Sequence, residues 1–266
     1  MDVSVITLTW NSEKYISAFI GTLINDLRNT GWEYEIFVID NGSKDSTLDI
    51  LHSWELIESN LRVIKMKKNV GTTRSRNIGL RLSSGKYIVI LDSDMEIPKG
   101  SLEKWIEGFK IIPSKNIGLI APKLVYPDGT LQISARRFPT IASKFARLFD
   151  IEWLQERTDI WPEVIEEKIV PVPYAISAAW IVKREVFEDI GLFDEHIFYA
   201  PEDAEFCTRM WANNWEVWYY PKAQIIHHTQ RITKKRPFSK LGIKHIEGLL
   251  YYWIKYGIYY GGRVGK

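Results

Sequence analysis

Four apolar, β-branched runs alternate with segments of helical spacing through the first half of the chain, and this alternation constrains the fold more than any other feature. "VSVITLTW" reads as a buried strand, followed by "NSEKYISAFIGTLINDL", in which Asn11 or Ser12 is placed to cap a helix. "YEIFVIDNGSKDSTLDILHSW" repeats strand, turn and helix; "LRVIKMKKN" with "GTTRSRNIGLRLSS" repeats it again; "KYIVILDSD" supplies a fourth strand. Strands that alternate with helices imply right-handed βαβ units and a mostly parallel central sheet flanked by helices, an α/β fold.

Each of these strands ends in polar, flexible residues. Thr9 and Asn11 follow the first, Asp40, Asn41 and Gly42 the second, Asn69 and Gly71 the third, Asp92, Ser93 and Asp94 the fourth. In a parallel sheet these ends share one edge, where open α/β sheets bind ligands. The fourth end poses the sharpest question. Two carboxylates one residue apart repel unless they face water or a cation stands between them. The bland explanation is a turn opened by Asp and Ser; it accounts for one strand end but not for four of like character. The other explanation is Mg²⁺ or Mn²⁺, since such sites combine one or two carboxylates with substrate phosphates.

The second half is less regular. "SLEKWIEGFKI" predicts a helix, "NIGLIAPKLVY" a strand and "YPDGT" a turn. Residues 136–173 mix helix signals with prolines and charges, as an excursion over the active edge would. "ISAAWIVKREVFEDIGLFDE" predicts a buried strand and a short helix, and "PEDAEFCTRMWANNW" a helix that opens with acids, favourable to its dipole. "EVWYYPKAQIIHHT" predicts two short strands around Pro221, ending in His227 and His228. Adjacent residues on a strand face opposite sides, so one histidine at most points into a given site.

Composition narrows the class. A length of 266 residues that is 45% hydrophobic supports one large domain or a domain with an appendage. Lys+Arg 35 against Asp+Glu 33 leaves +2, which gives no reason to expect a nucleic acid partner. The single cysteine, Cys207, excludes an internal disulfide framework and fits a reducing compartment. "MDVSVITLTW" lacks the basic start of a signal peptide, and no apolar run reaches the length of a membrane span. A cytoplasmic protein is expected.

Chemistry-bearing residues remain. Glu202 or Asp203 at a helix start is a candidate general base or a dipole-favouring acid. Arg74 and Arg76 at the start of the third helix, or "RITKKRP" after the histidines, suit a diphosphate, although the latter also reads as a solvated loop. Rival enzymes lack their signatures. The position after the first strand reads "TWNSEKY", with neither the G-x-G-x-x-G of a dehydrogenase nor the glycine-rich basic loop of a nucleotidyltransferase. A D-x-D phosphatase would carry its acids on the first strand.

Taken in order, "VSVITLTWNSEKYI", "VIDNGSKDST", "NVGTTRSRNIGL", "GKYIVILDSD", "SAAWIVKREVFEDIGLFDE", "PEDAEFCTRM" and "YYPKAQIIHH" resemble the family 2 glycosyltransferases. They cover most of residues 1–230, and "DGTLQISARRFPT" adds a likeness to rhamnosyltransferase-like members. The resemblance implies a GT-A fold over 1–230, with a nucleotide-binding half at 1–97, an acceptor and catalytic half at 98–230, and a helical extension at 231–266. It implies an inverting transfer from a UDP- or dTDP-linked sugar to a glycan or lipid-linked acceptor, with Mn²⁺ or Mg²⁺; the alternative is an inactive nucleotide-sugar-binding relative. Thr9, Asn11, Asp40, Gly42, Asn69, Arg74, Asn77, Asp92 and Ser93 would bind the donor, and Asp94, Asp92 and His227 the metal. Asp203, with Glu202 beside it, would be the base. Thr72, Thr73 and Pro201 depart from the family's pattern, the threonines bearing on donor choice and the proline on the acceptor. The aromatic, basic tail "KHIEGLLYYWIKYGIYYGGRVGK" is either an interfacial helix on the inner membrane face or a helix packed on the domain or on a second subunit.

Overall fold

A computed structural model describes residues 1–229 and 240–257. The basic stretch "RITKKRP" and the last residues of the tail lie outside them. The expected alternation is present: β1 (Val3–Thr9), α1 (Ile16–Arg28), β2 (Tyr34–Asp40), α2 (Thr47–Glu55), β3 (Leu61–Lys65), α3 (Thr72–Leu82) and β4 (Tyr87–Asp92). β3, β2, β1 and β4 pair in that order, all parallel.

The sheet then becomes mixed. After β5 (Met95–Glu96) and α4 (Ser101–Ile111) come β6 (Ile117–Val125), β7 (Leu131–Gln132) and β8 (Ala135–Arg136). Residues 136–173 hold α5 (Ile141–Leu148), α6 (Glu152–Thr158), α7 (Pro162–Ile165) and β9 (Val170–Pro171). β10 (Tyr174–Ala175), β11 (Ala179–Lys183), α8 (Arg184–Ile190), α9 (Glu202–Ala212), β12 (Glu216–His227) and α10 (Lys240–Tyr256) complete the described chain. β11 runs antiparallel between β4 and β6, and β12 is parallel to β6, so His227 ends at the same edge as Asp92. β5 turns back against β12 with His227 opposite Met95, which brings the loop after β4 up to the end of β12.

Both faces of the sheet are buried, so strands that read as continuous apolar runs divide their side chains by a period of two. Val5, Val38, Val89 and Ile181 join the core under α1, α2 and α4. Ile6, Phe37, Ile90 and Trp180 join the core under α3, α8, α9 and α10. This division fixes the face of each strand-end residue.

Two local expectations fail. Neither Asn11 nor Ser12 caps α1: Asn11 has φ 52°, and the Ser12 carbonyl accepts from Tyr15 and Ile16 N–H in a turn that precedes the helix. The stretch around Pro221 is one strand, because the irregular register between Tyr220 and Gln224 lets the proline pass without ending the pairing. The tail helix α10 packs on the domain. Tyr252 is 1% exposed with its hydroxyl 2.9 Å from Thr208 Oγ1, and Lys255 pairs with Asp194 and Glu205. No described helix is long and apolar enough to cross a membrane.

Candidate active site

The polar strand ends open onto a cleft of about 970 Å³. Asp92, Ser93, Asp94, His227, Glu202, Asp203 and Asn69 all line it. Asp92 shares the face of Ile88 and Ile90, which α3 covers, and Arg76 of α3 meets it there.

Arg76 is the hub. Its Nη2 donates to Asp92 Oδ1 at 2.8 Å and to the Ser177 carbonyl at 3.0 Å. Its Nη1 donates to Ser177 Oγ at 2.6 Å and to Glu202 Oε1 at 3.2 Å, and Ser177 Oγ donates to the same Glu202 oxygen at 2.8 Å. One buried guanidinium thus ties the acid pair of β4 to the acid pair of α9. Burial raises the carboxyls of Asp92 and Asp203, and burial with the neighbouring Asp203 pushes Glu202 up to about 8. Arg76 opposes the rise in all three.

Glu202 takes both of these bonds on Oε1, and Asp203, half-buried at the cleft wall, uses one oxygen to accept from Ala204 N–H at 2.7 Å. Its other oxygen accepts from no described residue. That oxygen of Asp203 can take a proton from a ligand in the cleft, and a carboxyl raised by burial is the stronger base.

Single ligand atoms of Asp92, Asp94 and His227 lie within 4.8 Å of one another. His227 Nδ1 stands 2.9 Å from Gln132 Oε1, an acceptor, so Nδ1 carries the proton and Nε2 the lone pair. That lone pair faces Asp94 Oδ1 at 3.3 Å. Two lone pairs so close call for a cation or a proton between them. Two carboxylates and an imidazole held by an outer partner fit a divalent ion. His228 points elsewhere, to Glu96 Oε2 at 3.3 Å and the Tyr15 ring, which decides between the two histidines for this cluster.

Other expected donor residues stand outside the cleft lining. Thr9 and Asp40 fall on the α1 and α2 face of the sheet, and both are buried. Asp40 accepts from Ser43 N–H at 3.3 and 3.2 Å. Exposed Asn11 accepts from Lys44 N–H at 2.8 Å. Gly42 has φ 79°, and a Cβ there would lie 2.8 Å from Lys68 Cα, so its glycine serves the backbone. Asn77 clips α3 to the loop at Phe193 and Glu195. Arg74 is exposed and faces Glu195 at 3.5 Å; Arg76, two residues on, is the arginine in the cleft. The signal was available, because Arg76 lies four residues before buried Leu80 on the inward helical face. Of the departures, Thr72 lines the cleft, Thr73 donates to the Ile197 carbonyl at 2.6 Å, and Pro201 is buried ahead of α9. Asn41, from the polar end of β2, and Ser12 also line the cleft, together with Gln132 and Ser177, which no local pattern marks.

A family model, Glycosyl transferase family 2, matches residues 4–191. The chain belongs to this family. The N-acetylglucosaminyl-diphospho-decaprenol L-rhamnosyltransferase of Mycobacterium tuberculosis (strain ATCC 25618 / H37Rv) is 24% identical over 91% of the chain and 80% of its own length. TuaG of Bacillus subtilis (strain 168), a glycosyltransferase named for teichuronic acid biosynthesis, is 34% identical over 48% of the chain; the match spans 49% of TuaG, about half its length. Among solved structures, the mannosyltransferase PcManGT from Pyrobaculum calidifontis, in complex with GDP-Man and Mn²⁺, has a TM-score of 0.62 at 18% identity, covering 95% of this chain and 63% of that one. GalNAc-T7 with UDP, GalNAc and Mn²⁺ has a TM-score of 0.64 at 15% identity over 85% of this chain and 44% of that one. The family 2 chain has the GT-A fold, with a C-terminal helix.

Proposed function

We propose that this family 2 protein is an inverting glycosyltransferase that moves a sugar from a UDP- or dTDP-linked donor to a hydroxyl of a glycan or lipid-linked acceptor, in the synthesis of a cell-surface polysaccharide or glycoconjugate. The observation that carries the reading is one cleft in which Arg76 joins Asp92, beside Asp94 and His227, to Glu202, beside Asp203. The printed name of the Mycobacterium tuberculosis relative, an N-acetylglucosaminyl-diphospho-decaprenol L-rhamnosyltransferase, supports a lipid-linked acceptor.

Asp92, Asp94 and His227 would hold Mn²⁺ or Mg²⁺. When bound, such an ion neutralises the charge that gathers on a departing diphosphate. The chain's own residues do the rest. Arg76 holds Asp92 in place and keeps the two acid pairs apart in charge. Asn69, Ser93, Thr72 and Asn41 present polar groups to the nucleotide and sugar, while Asp40, Asn11 and Gly42 set the loop behind them. Asp203 takes the proton of the acceptor hydroxyl as its oxygen attacks the anomeric carbon opposite the leaving nucleotide. General-base assistance of this kind supplies a factor of about 10² to 10⁴.

Calorimetric titration with UDP, dTDP, GDP and ADP, each with and without Mn²⁺, tests the reading. Metal-dependent binding of a pyrimidine diphosphate that fails in Asp94→Ala is the expected result. No diphosphate binding under any condition would overturn it.

A further inference from the structure

Helix α10 reaches the cleft from the far end of the chain. Leu241, Ile243 and Lys244 line the cleft mouth, and the His245 ring meets the Tyr199 ring edge-on with centroids 6.3 Å apart. One turn after Lys244, Gly248 sits against the peptide between Ala200 and Pro201, the step into α9. A Cβ at Gly248 would lie 2.1 Å from the Ala200 carbonyl oxygen, 3.1 Å from its carbon and 3.3 Å from Pro201 Cδ. Among the described glycines this is the tightest approach. Glycine inside a helix weakens it, and here the close meeting of two backbones is what requires one.

Both sides of this contact are pinned. The segment leading into α9 is held by α3: Thr73 Oγ1 donates to the Ile197 carbonyl at 2.6 Å, Thr72 N–H to the Phe198 carbonyl at 2.7 Å, and Arg76 Nη1 to Glu202 Oε1 at 3.2 Å. α10 in turn is tied to α9 beyond its first turn. Thr208 Oγ1 donates to the Ala204 carbonyl at 2.7 Å, so the Tyr252 hydroxyl, 2.9 Å away, is the donor to Thr208. Lys255 Nζ donates to Glu205 Oε1 at 2.9 Å and to Asp194 Oδ2 at 2.8 Å, and the Tyr256 hydroxyl donates to the same Glu205 oxygen at 2.7 Å. Trp253 Nε1 donates to the Pro139 carbonyl at 2.9 Å, which anchors the helix from another side. The first turn of α9, with Glu202 and Asp203, therefore lies between two contacts with α10, one at Ala200 and one at Glu205 and Thr208.

We propose that α10 positions the base: Gly248, together with Tyr252 and Lys255, sets where the first turn of α9 places Asp203. This rests on the transferase reading above and names what holds its base in place. Neither Gly248 nor Lys255 lines the cleft, so both are positioning residues that act through α9. To open the contact at Gly248 to 3.0 Å, the two backbones must part by about 0.9 Å. With α3 holding Ile197 and Phe198, that displacement falls on the step from Ala200 to Asp203. A displacement of about 1 Å at a reacting group costs on the order of a hundredfold in rate. Asp94 and His227 stand on the loop after β4 and on β12, which pairs with β5 and β6, so the metal and nucleotide end of the cleft is spared.

The test is steady-state release of UDP or dTDP by the full chain from UDP-glucose, UDP-N-acetylglucosamine and dTDP-rhamnose with Mn²⁺. Water replaces the acceptor in this reaction, and Asp203 takes its proton. Calorimetric titration with UDP and Mn²⁺ is run beside it. In Gly248→Ala, kcat falls about 10- to 100-fold, while donor KM and UDP affinity stay within about twofold of the wild type. Lys255→Met, at a side chain 34% exposed, loosens the other contact without packing a new atom. Its kcat falls about three- to tenfold, and Lys255→Arg restores it. An unchanged kcat in Gly248→Ala, or UDP affinity lost in step with kcat, would overturn the inference. So would an unchanged kcat in Lys255→Met, which decides the matter even if Gly248→Ala is too unstable to assay. No release from any donor by the wild type removes the transferase reading itself, an outcome distinct from variants that match an active wild type.

Discussion

Arg76 Nη1 donates to Glu202 Oε1 at 3.2 Å, and both side chains are buried, at 2% and 9% exposure. The pair joins α3 to the start of α9, and through Asp92 the same guanidinium reaches the end of β4. Removing the cation leaves buried carboxylates without compensation, which costs about 3 to 5 kcal/mol where a buried pair is broken. Arg76→Met is expected to lower the urea unfolding free energy by roughly that amount. Arg76→Lys should recover only part of it, because an ammonium group cannot reach Asp92, Ser177 and Glu202 with one planar fork.

The same acids make stability depend on pH. Glu202 is raised to about 8 in the fold, and Asp92 and Asp203 are raised with it. A carboxyl raised on folding keeps a proton that the unfolded chain releases above its ordinary value of about 4. The native state then binds more protons than the unfolded one, so stability falls as pH rises. In the metal-free protein the urea midpoint should decline from about pH 5 to about pH 8 and level off above. Glu202→Gln should flatten that slope; an unchanged slope would remove Glu202 as its source.

Asp203→Asn keeps the shape of the cleft and removes the proton acceptor. Turnover should drop by a factor of about 10² to 10⁴ while Mn²⁺-dependent nucleotide binding persists. Full turnover in this variant would show that another group takes the proton.

Gln132 touches no proposed ligand of the metal except through His227 Nδ1. Gln132→Leu keeps all three metal donors but frees the imidazole to rotate and change tautomer. Mn²⁺ affinity should fall about 10- to 100-fold, the usual cost of losing an outer partner. Titration calorimetry with Mn²⁺ alone measures it.

Gly71 has φ 94°, and an added Cβ would collide with the Phe198 carbonyl and ring. Thr72 N–H donates to that same carbonyl at 2.7 Å, so the loop cannot simply withdraw. Gly71→Ala is expected to destabilise by about 1 to 3 kcal/mol and to weaken nucleotide binding, since Gly71 lines the cleft. Thermal unfolding and the nucleotide titration read the two effects.

Local pattern carried the architecture. Period-two burial on both faces, turn residues at strand ends and helical spacing between them are written in neighbouring residues, so β1 to β4, their helices and the edge bearing Asp92 and Asp94 were legible from the chain alone. The same locality explains the misjudged cap at Asn11 and the single strand through Pro221, where a tight turn and an irregular register overrode residue preference. Partners far apart in sequence were decided only by the tertiary structure. His227 meets Gln132, 95 residues away, because β12 and β7 both pair with β6. Arg76 meets Glu202, 126 residues away, because α3 and α9 cover the same face of the sheet. A sequence states which groups can ionise; which of them share a buried volume, and so compensate or raise one another, is set by how the chain packs.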